Sequence, residues 1–386
     1  MTGRPEALIR DEYTGEPAAK RLLARLQKKR EEGKKIAGIY CCYAPPELIY
    51  AMDIVPADLC AFSNGTIDAA EAILPANLCP LVKSSFGFII TDTCPFYGVS
   101  DVIIGETTCD GKKKMFELIR ERKPTHIMDL PQLPDEEEAL SNWTVMIGKL
   151  RKFLETTLGI KVTDDQIESA IKDTNRKNEL MRKIIGFTAL NPPVVGWQEI
   201  NDLIHLSHCT TGKEMGPMLV EAINKLEQRR TAGYAYGPVN APRVMVTGCP
   251  VGGDAHKVLN IIEEAGGVIV ALEACSGFKP FILDVEEDTK DPVRALAERY
   301  LKIPCSCMTP NTRRLAEISR MVDMFKPDAV IDIILQACHS YNIESYKVGE
   351  HVQKHHGLPF LKIVTDFSQS DVGQIRTRVE AVLESC

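Results

Sequence analysis

The sequence predicts an α/β protein built on two doubly wound parallel sheets with helical additions. Three observations predict it. Short apolar, partly β-branched runs alternate with amphipathic stretches over residues 35–132 and again over 243–386, as expected of βαβ units with helices on both faces of a sheet. A mostly helical stretch, 133–230, and a Gly/Pro-rich linker, 231–242 (TAGYAYGPVNAP), separate the two regions. Cysteines recur where the apolar runs stop, and ligands of open α/β sheets bind outside the carboxyl ends of the strands.

Taken in order, residues 1–34 read as a charged, solvated helical segment. Residues 35–40 read as a strand ending at Cys41-Cys42, and Pro45-Pro46 then opens a helix, because proline is tolerated in a first turn. Residues 54–59 form a second strand ending at Cys60. Cys79-Pro80 starts a helix. Residues 99–107 (VSDVIIGET) form a third strand, followed by Cys109, an Asp110-Gly111 turn and a helix from near Lys112. Cys94 precedes that strand, so at ~3.3 Å per residue it lies far from Cys109 and reads as structural. A short strand at 125–130 closes the first region. In the second region, strand 243–247 runs into the Gly248-Cys249-Pro250 turn, and strand 268–272 ends near Cys275. A helix at 291–300 leads to the loop holding Cys305 and Cys307. Strand 329–335 delivers Cys338-His339, strand 360–364 follows, and a helix at 372–384 closes the chain.

A chain of 386 residues is long enough for two domains. The net charge of −7 gives no basic footprint for nucleic acid. No apolar run reaches the roughly 18 residues of a membrane span. The N-terminal MTGRPEALIRDEYTGEP lacks the apolar core of a signal peptide, so a cytoplasmic location is expected. His205, His208 and Cys209 are spaced for one helical turn, but no HExxH pattern accompanies them and they read as a polar helix face. The turn from Gly248 to Gly253 could cradle a phosphate at a helix N-terminus. It is neither GxGxxG nor Walker A, and the sequence holds no nucleotide-hydrolysis motif.

Cysteine is the outlier, with 13 residues. That is far below the roughly 8–10% of a disulfide scaffold, and a cytosolic compartment keeps thiols reduced. Core packing asks for nothing like cysteine at strand ends. Clustered thiolates suit a soft metal site instead. Structural zinc brings paired CxxC knuckles, and none is present. Single cysteines drawn from distant loops fit an iron–sulfur cluster better. Nucleophilic Cys/His chemistry at Cys338-His339 is the weaker option, since sequence adjacency does not set spatial arrangement.

The stretches GIYCCYAPPELIYAMDIVP at 38–56, LPANLCPLVKSS at 74–85, DVIIGETTCDGKKKM at 101–115, VTGCPVGG at 246–253 and ILQACHSY at 334–341 resemble the 2-hydroxyacyl-CoA dehydratase / benzoyl-CoA reductase family. The resemblance implies two Rossmann-like domains and a 4Fe-4S cubane between them, held here by Cys79, Cys109 and Cys338. It also implies a separate ATP-hydrolysing iron–sulfur activase as electron donor, and a homodimer. Cys42 stands where dehydratase-type members tend to have serine, and Cys60, Cys249 and Cys307 are further thiols. In this the chain resembles the double-cubane branch, in which two cubanes share a bridging sulfide. The second cubane is then expected on Cys60, Cys249 and Cys307, with Cys41 the leading substitute, while Cys275 and Cys305 read as packing or neighbouring groups. The implied activity is ATP-coupled reduction of small unsaturated molecules such as acetylene, azide or hydrazine. Lys83, Glu106, Gln336 and His339 adjoin expected ligands and are candidate proton donors. The alternatives are a 2-hydroxyacyl-CoA dehydratase subunit with one cubane, and a non-catalytic low-potential electron carrier.

Overall fold

The computed structural model describes residues 7–9 and 16–386, so part of the expected N-terminal helical segment lies outside the described residues. Its described part is the helix Ala18–Glu31. Two four-stranded parallel sheets follow. The first is formed by β1 (Lys35–Ile39), β2 (Ile54–Asp58), β3 (Val102–Glu106) and β4 (Thr125–Met128), in the order β2-β1-β3-β4. The second is formed by β5 (Arg243–Gly248), β6 (Val268–Glu273), β7 (Ala329–Leu335) and β8 (Phe360–Thr365), in the order β6-β5-β7-β8. The two sheets share one topology. In each, the chain leaves the first strand toward one edge and returns to its other side, which creates a switch point at the carboxyl ends of β1 and β3, and of β5 and β7.

β3, β5, β6 and β7 are buried throughout, as parallel strands covered on both faces must be. The expected strand at 99–107 begins only at Val102, because Pro95–Val99 is a short helix. Proline fixes its first turn, and the Cys94 thiol accepts from the Tyr97 N–H at 3.3 Å.

The helices cover the sheets with regular apolar faces. Ala139–Leu158 buries Trp143, Ile147, Leu150 and Leu154 over the first sheet, at the spacing of one helix face. A capping box between Thr163 and Gln166 starts Asp164–Gly186. The helix Pro292–Leu301 belongs to the second half of the chain, yet its Leu296 and Tyr300 complete the core of the first sheet. The Tyr43 hydroxyl donates to the Ile303 carbonyl at 3.1 Å and the Tyr300 hydroxyl to Glu47 Oε2 at 2.8 Å. These bonds lace the halves together and carry Cys305 and Cys307 to the first sheet. Among the described residues no helix is long and apolar enough to cross a membrane.

Candidate metal centre

A cavity of about 970 Å³ lies between the carboxyl ends of the two sheets. Eleven cysteines line it: 41, 42, 60, 79, 94, 109, 209, 249, 275, 305 and 338. The topology explains the convergence. Cys41 and Cys42 follow β1, Cys109 follows β3, Cys249 follows β5 and Cys338 follows β7, so both switch points carry thiols. Cys60 and Cys275 follow the adjoining strands β2 and β6 in matching positions.

Cys79, Cys109 and Cys338 share a further property. Each is the N-cap of a helix: Pro80–Ile90, Asp110–Arg120 and His339–His351. Backbone N–H groups of the first turns address all three sulfurs, from Leu81 and Val82, from Lys112, and from Tyr341 respectively. Three helix N-termini therefore meet at the cavity, and each favours a nearby anion by ~0.3–1 kcal/mol. The backbone is shaped for this purpose at two points. Gly248 has φ +114°, and a Cβ there would meet the Ile333 carbonyl oxygen at 2.2 Å. Only glycine can make the turn that presents Cys249. Ala337 takes φ +59° immediately before Cys338, an uncommon conformation for a residue with a side chain.

The thiols fall into three contact groups. Cys338 accepts S–H bonds from Cys249 and Cys79, which hold its own thiol far below the ordinary range. Cys275 is likewise lowered by donation from Cys41 and Cys42, the Cys42–Cys275 separation being 3.7 Å. Cys305 is lowered by its bond from Cys307. Cys109 stands near the first and third groups and feels the charges of Cys338 and Cys305. Each group thus contains one thiol whose charged form is favoured by S–H donation from its neighbours.

Of the residues expected for a second cubane, Cys41 lies among Cys42 and Cys275, and Cys249 lies against Cys338. Cys60 is on the wall, its thiol donating to the Tyr40 carbonyl at 3.2 Å. Cys307 is buried behind Cys305 and does not line the cavity. The candidate proton donors are dispersed. Lys83 is absent from the wall, since its ammonium is held by Glu71 at 2.6 Å and the Ala76 carbonyl at 2.8 Å. Gln336 and His339 are exposed and also off the wall. Glu106 is fully buried behind the wall and paired with Lys112. Burial pushes its carboxyl up to about 7, against the opposing pull of Lys112.

Sequence reading missed Lys112 as a wall residue. Its ammonium bonds Glu106 and the Tyr40 carbonyl (3.3 Å) and feels the sulfurs of Cys41 and Cys60. The available signal was its place one turn into the helix after Cys109. A buried network also escaped notice. Lys279 Nζ lies 2.7 Å from Glu273 Oε1, and Arg314 Nη2 lies 3.2 Å from Glu273 Oε2. Lys279 acts on Cys275 and Cys305 as a nearby positive charge, so this end of the cavity is electropositive from behind. Long sequence separations hide such networks.

The model of a family described as 2-hydroxyglutaryl-CoA dehydratase, D-component, matches residues 41–386. A relative from Escherichia coli K12, named "Putative dehydratase subunit YjiM", is 41% identical over 356 residues, covering 92% of each chain. The beta subunit of (R)-2-hydroxyglutaryl-CoA dehydratase from Acidaminococcus fermentans is 22% identical over 370 residues, covering 93% of this chain and 94% of its own. The lactoyl-CoA dehydratase beta subunit of Anaerotignum propionicum is 23% identical over 362 residues, covering 92% and 93%.

Proposed function

Because the chain belongs to the 2-hydroxyglutaryl-CoA dehydratase, D-component family, we propose that it is the cluster-bearing component of a reductase. In this reading the cysteine-lined cavity holds iron–sulfur cubanes, which supply low-potential electrons when bound. A separate ATP-hydrolysing iron–sulfur activase loads those electrons, and small unsaturated molecules of the acetylene, azide or hydrazine type are reduced in the cavity. The protein works in the cytoplasm as a homodimer.

The observation that carries the proposal is the convergence of eleven cysteines, from both sheets, on one cavity. The donor set fits the group. Among the described residues no three His, Cys, Asp or Glu surround one point as a single metal ion requires. The thiols are instead spread over a wall, with helix N-termini and buried cations behind them, as a polynuclear anionic group needs. Cys79, Cys109 and Cys338 would hold one cubane. For a second, the geometry favours Cys41, Cys42 and Cys275 over the set Cys60, Cys249 and Cys307, because Cys249 contacts Cys338 and Cys307 is off the wall. The chain's own residues do the remaining work. The apolar side chains of Phe62, Phe88 and Phe96 on the wall exclude water, and Lys112 holds a positive charge beside Cys41 and Cys60.

The second reading, a 2-hydroxyacyl-CoA dehydratase subunit with a single cubane, draws on the names of the relatives. Iron and acid-labile sulfide per chain, on protein purified without oxygen, decide between them. About eight irons support two cubanes; about four leave one cubane on Cys79, Cys109 and Cys338 and overturn the double-cubane reading.

A further inference from the structure

Three of the chain's eight histidines also line the cavity: His205, His208 and His256. His205 and His208 lie three residues apart on the helix Trp197–His208, so they share one face. Their ring centroids are 6.4 Å apart, a gap that one water can bridge. His208 Nδ1 is hydrogen-bonded to Asp58 Oδ2 at 2.5 Å, and Asp58 is the last residue of β2, two before Cys60. The carboxylate fixes Nδ1 as the protonated nitrogen and leaves Nε2 as the exchanging atom. His205 has a second exposure. It lines not only the large cavity but also a separate one of about 90 Å³, under the helix Ala18–Glu31. The exposed Asp202, bonded to Arg21 at 2.7 Å, lines that outer cavity too. Metal binding does not account for the arrangement: Cys209 turns its thiol to the Leu206 carbonyl at 3.5 Å, and no three-donor site exists among the described residues.

We propose that His205 and His208 form a proton relay from the outer cavity into the cysteine-lined one, with Asp58 as the residue that orients it. The inference rests on the reductive reading above. Adding two electrons to a multiple bond takes up two protons, for acetylene C2H2 + 2e− + 2H+ → C2H4. The electrons come from the low-potential donor. Each proton leaves His208 Nε2 for the carbon being reduced, and His208 is then reprotonated from His205 through the intervening water, while His205 recharges from water in the outer cavity. His208 is the candidate catalytic residue, and His205 acts only through it.

The test uses the cluster-loaded protein with its activase and ATP, acetylene as the probe, and ethylene as the product. H205A is expected to lower kcat at least ~10-fold with the KM for acetylene within about twofold, and added imidazole restores much of the rate. H205Q lowers kcat equally without opening space, and is not rescued. The cluster spectrum by EPR and the iron content stay at wild-type values in both. A pH-indicator dye, read during stoichiometric reduction, shows proton uptake slowed in H205A by the same factor. A wild-type protein that turns over, matched by H205A in kcat and proton uptake, overturns the relay alone. Loss of rate without imidazole rescue, or with an altered EPR signal, assigns His205 a structural role and also overturns it. Wild-type protein that holds its cluster and forms no ethylene overturns the reductive reading, and the relay with it.

Discussion

Replacing Lys112 with methionine tests the electrostatics of the cavity wall. The substitution keeps most of the apolar stem and removes the ammonium that pairs with Glu106. Glu106 is 0% exposed, and its Oε2 already lacks a partner. Breaking a buried pair from one side costs ~3–5 kcal/mol, but here the cost depends on pH. In the wild type Glu106 titrates at about 7 in the folded state, above its ordinary value. A carboxyl raised on folding binds its proton more tightly in the native state, so stability falls as pH rises from the unfolded value through the folded one. Between pH 6 and 8 that loss is about 1 kcal/mol for the wild type. Without Lys112 the folded value moves higher still, and the same interval removes more, up to about twice as much. The penalty of K112M should therefore grow by up to about 1 kcal/mol between pH 6 and pH 8. Urea unfolding at the two pH values measures it. A penalty that is equal at both, or that shrinks toward pH 8, refutes the reasoning. K112M/E106Q should recover most of the loss and flatten the pH dependence.

Three further outcomes follow from other parts of the structure. G248A puts a Cβ 2.2 Å from the Ile333 carbonyl oxygen at a φ of +114°, so it should destabilise by about 1–3 kcal/mol and lower iron content by displacing Cys249, which packs its thiol against Cys338; a wild-type melting curve and iron count would contradict this. Burial lowers His256 to about 4, so the native state binds fewer protons than the unfolded chain, and stability should fall as pH drops from about 6.5 to 4. H256L should remove about 2 kcal/mol of that acid loss, as read from unfolding at pH 7 and pH 4.5. K279M leaves Glu273 facing Arg314 alone in a site where both are fully buried; it should cost ~3–5 kcal/mol, and an unchanged urea midpoint would show that Arg314 compensates.

The fold was legible because its signals are local. The apolar runs that became β1, β5 and β7 are bounded by turn residues, and helix faces such as Trp143, Ile147, Leu150 and Leu154 repeat at one period. The start of β3 was not legible. The apolar content of 95–99 suits strand or helix alike, and Pro95 decides for helix only once Cys94 caps it. The site divides in the same way. That cysteines gather at strand ends can be read directly, since each follows an apolar run. Which cysteines touch cannot, because Cys42 meets Cys275 across 233 residues and helix Pro292–Leu301 returns to the first sheet. Lys83 looked functional from its neighbours, yet a helix that starts at Cys79 turns residue 83 away to Glu71.

The lacing between halves bears on what happens when the proposed cluster is removed. Cysteines from both sheets line the cavity, so a group bound there ties β1 and β3 to β5 and β7 and should stabilise the folded state by linkage. It is not the sole tie. The Tyr43–Ile303 and Tyr300–Glu47 bonds and the apolar face of Pro292–Leu301 already join the halves without it. Each such buried hydrogen bond adds ~1 kcal/mol and each buried leucine ~2 kcal/mol, a tie independent of metal. Chelation under reducing conditions should therefore lower the melting temperature while leaving the far-UV dichroism of the helices intact at 25 °C. The cluster-free chain should also unfold in one transition, since the helix from the second half remains part of the first core. A loss of helical signal on chelation, or two separated transitions, would mean that the metal organises the halves and the lacing does not.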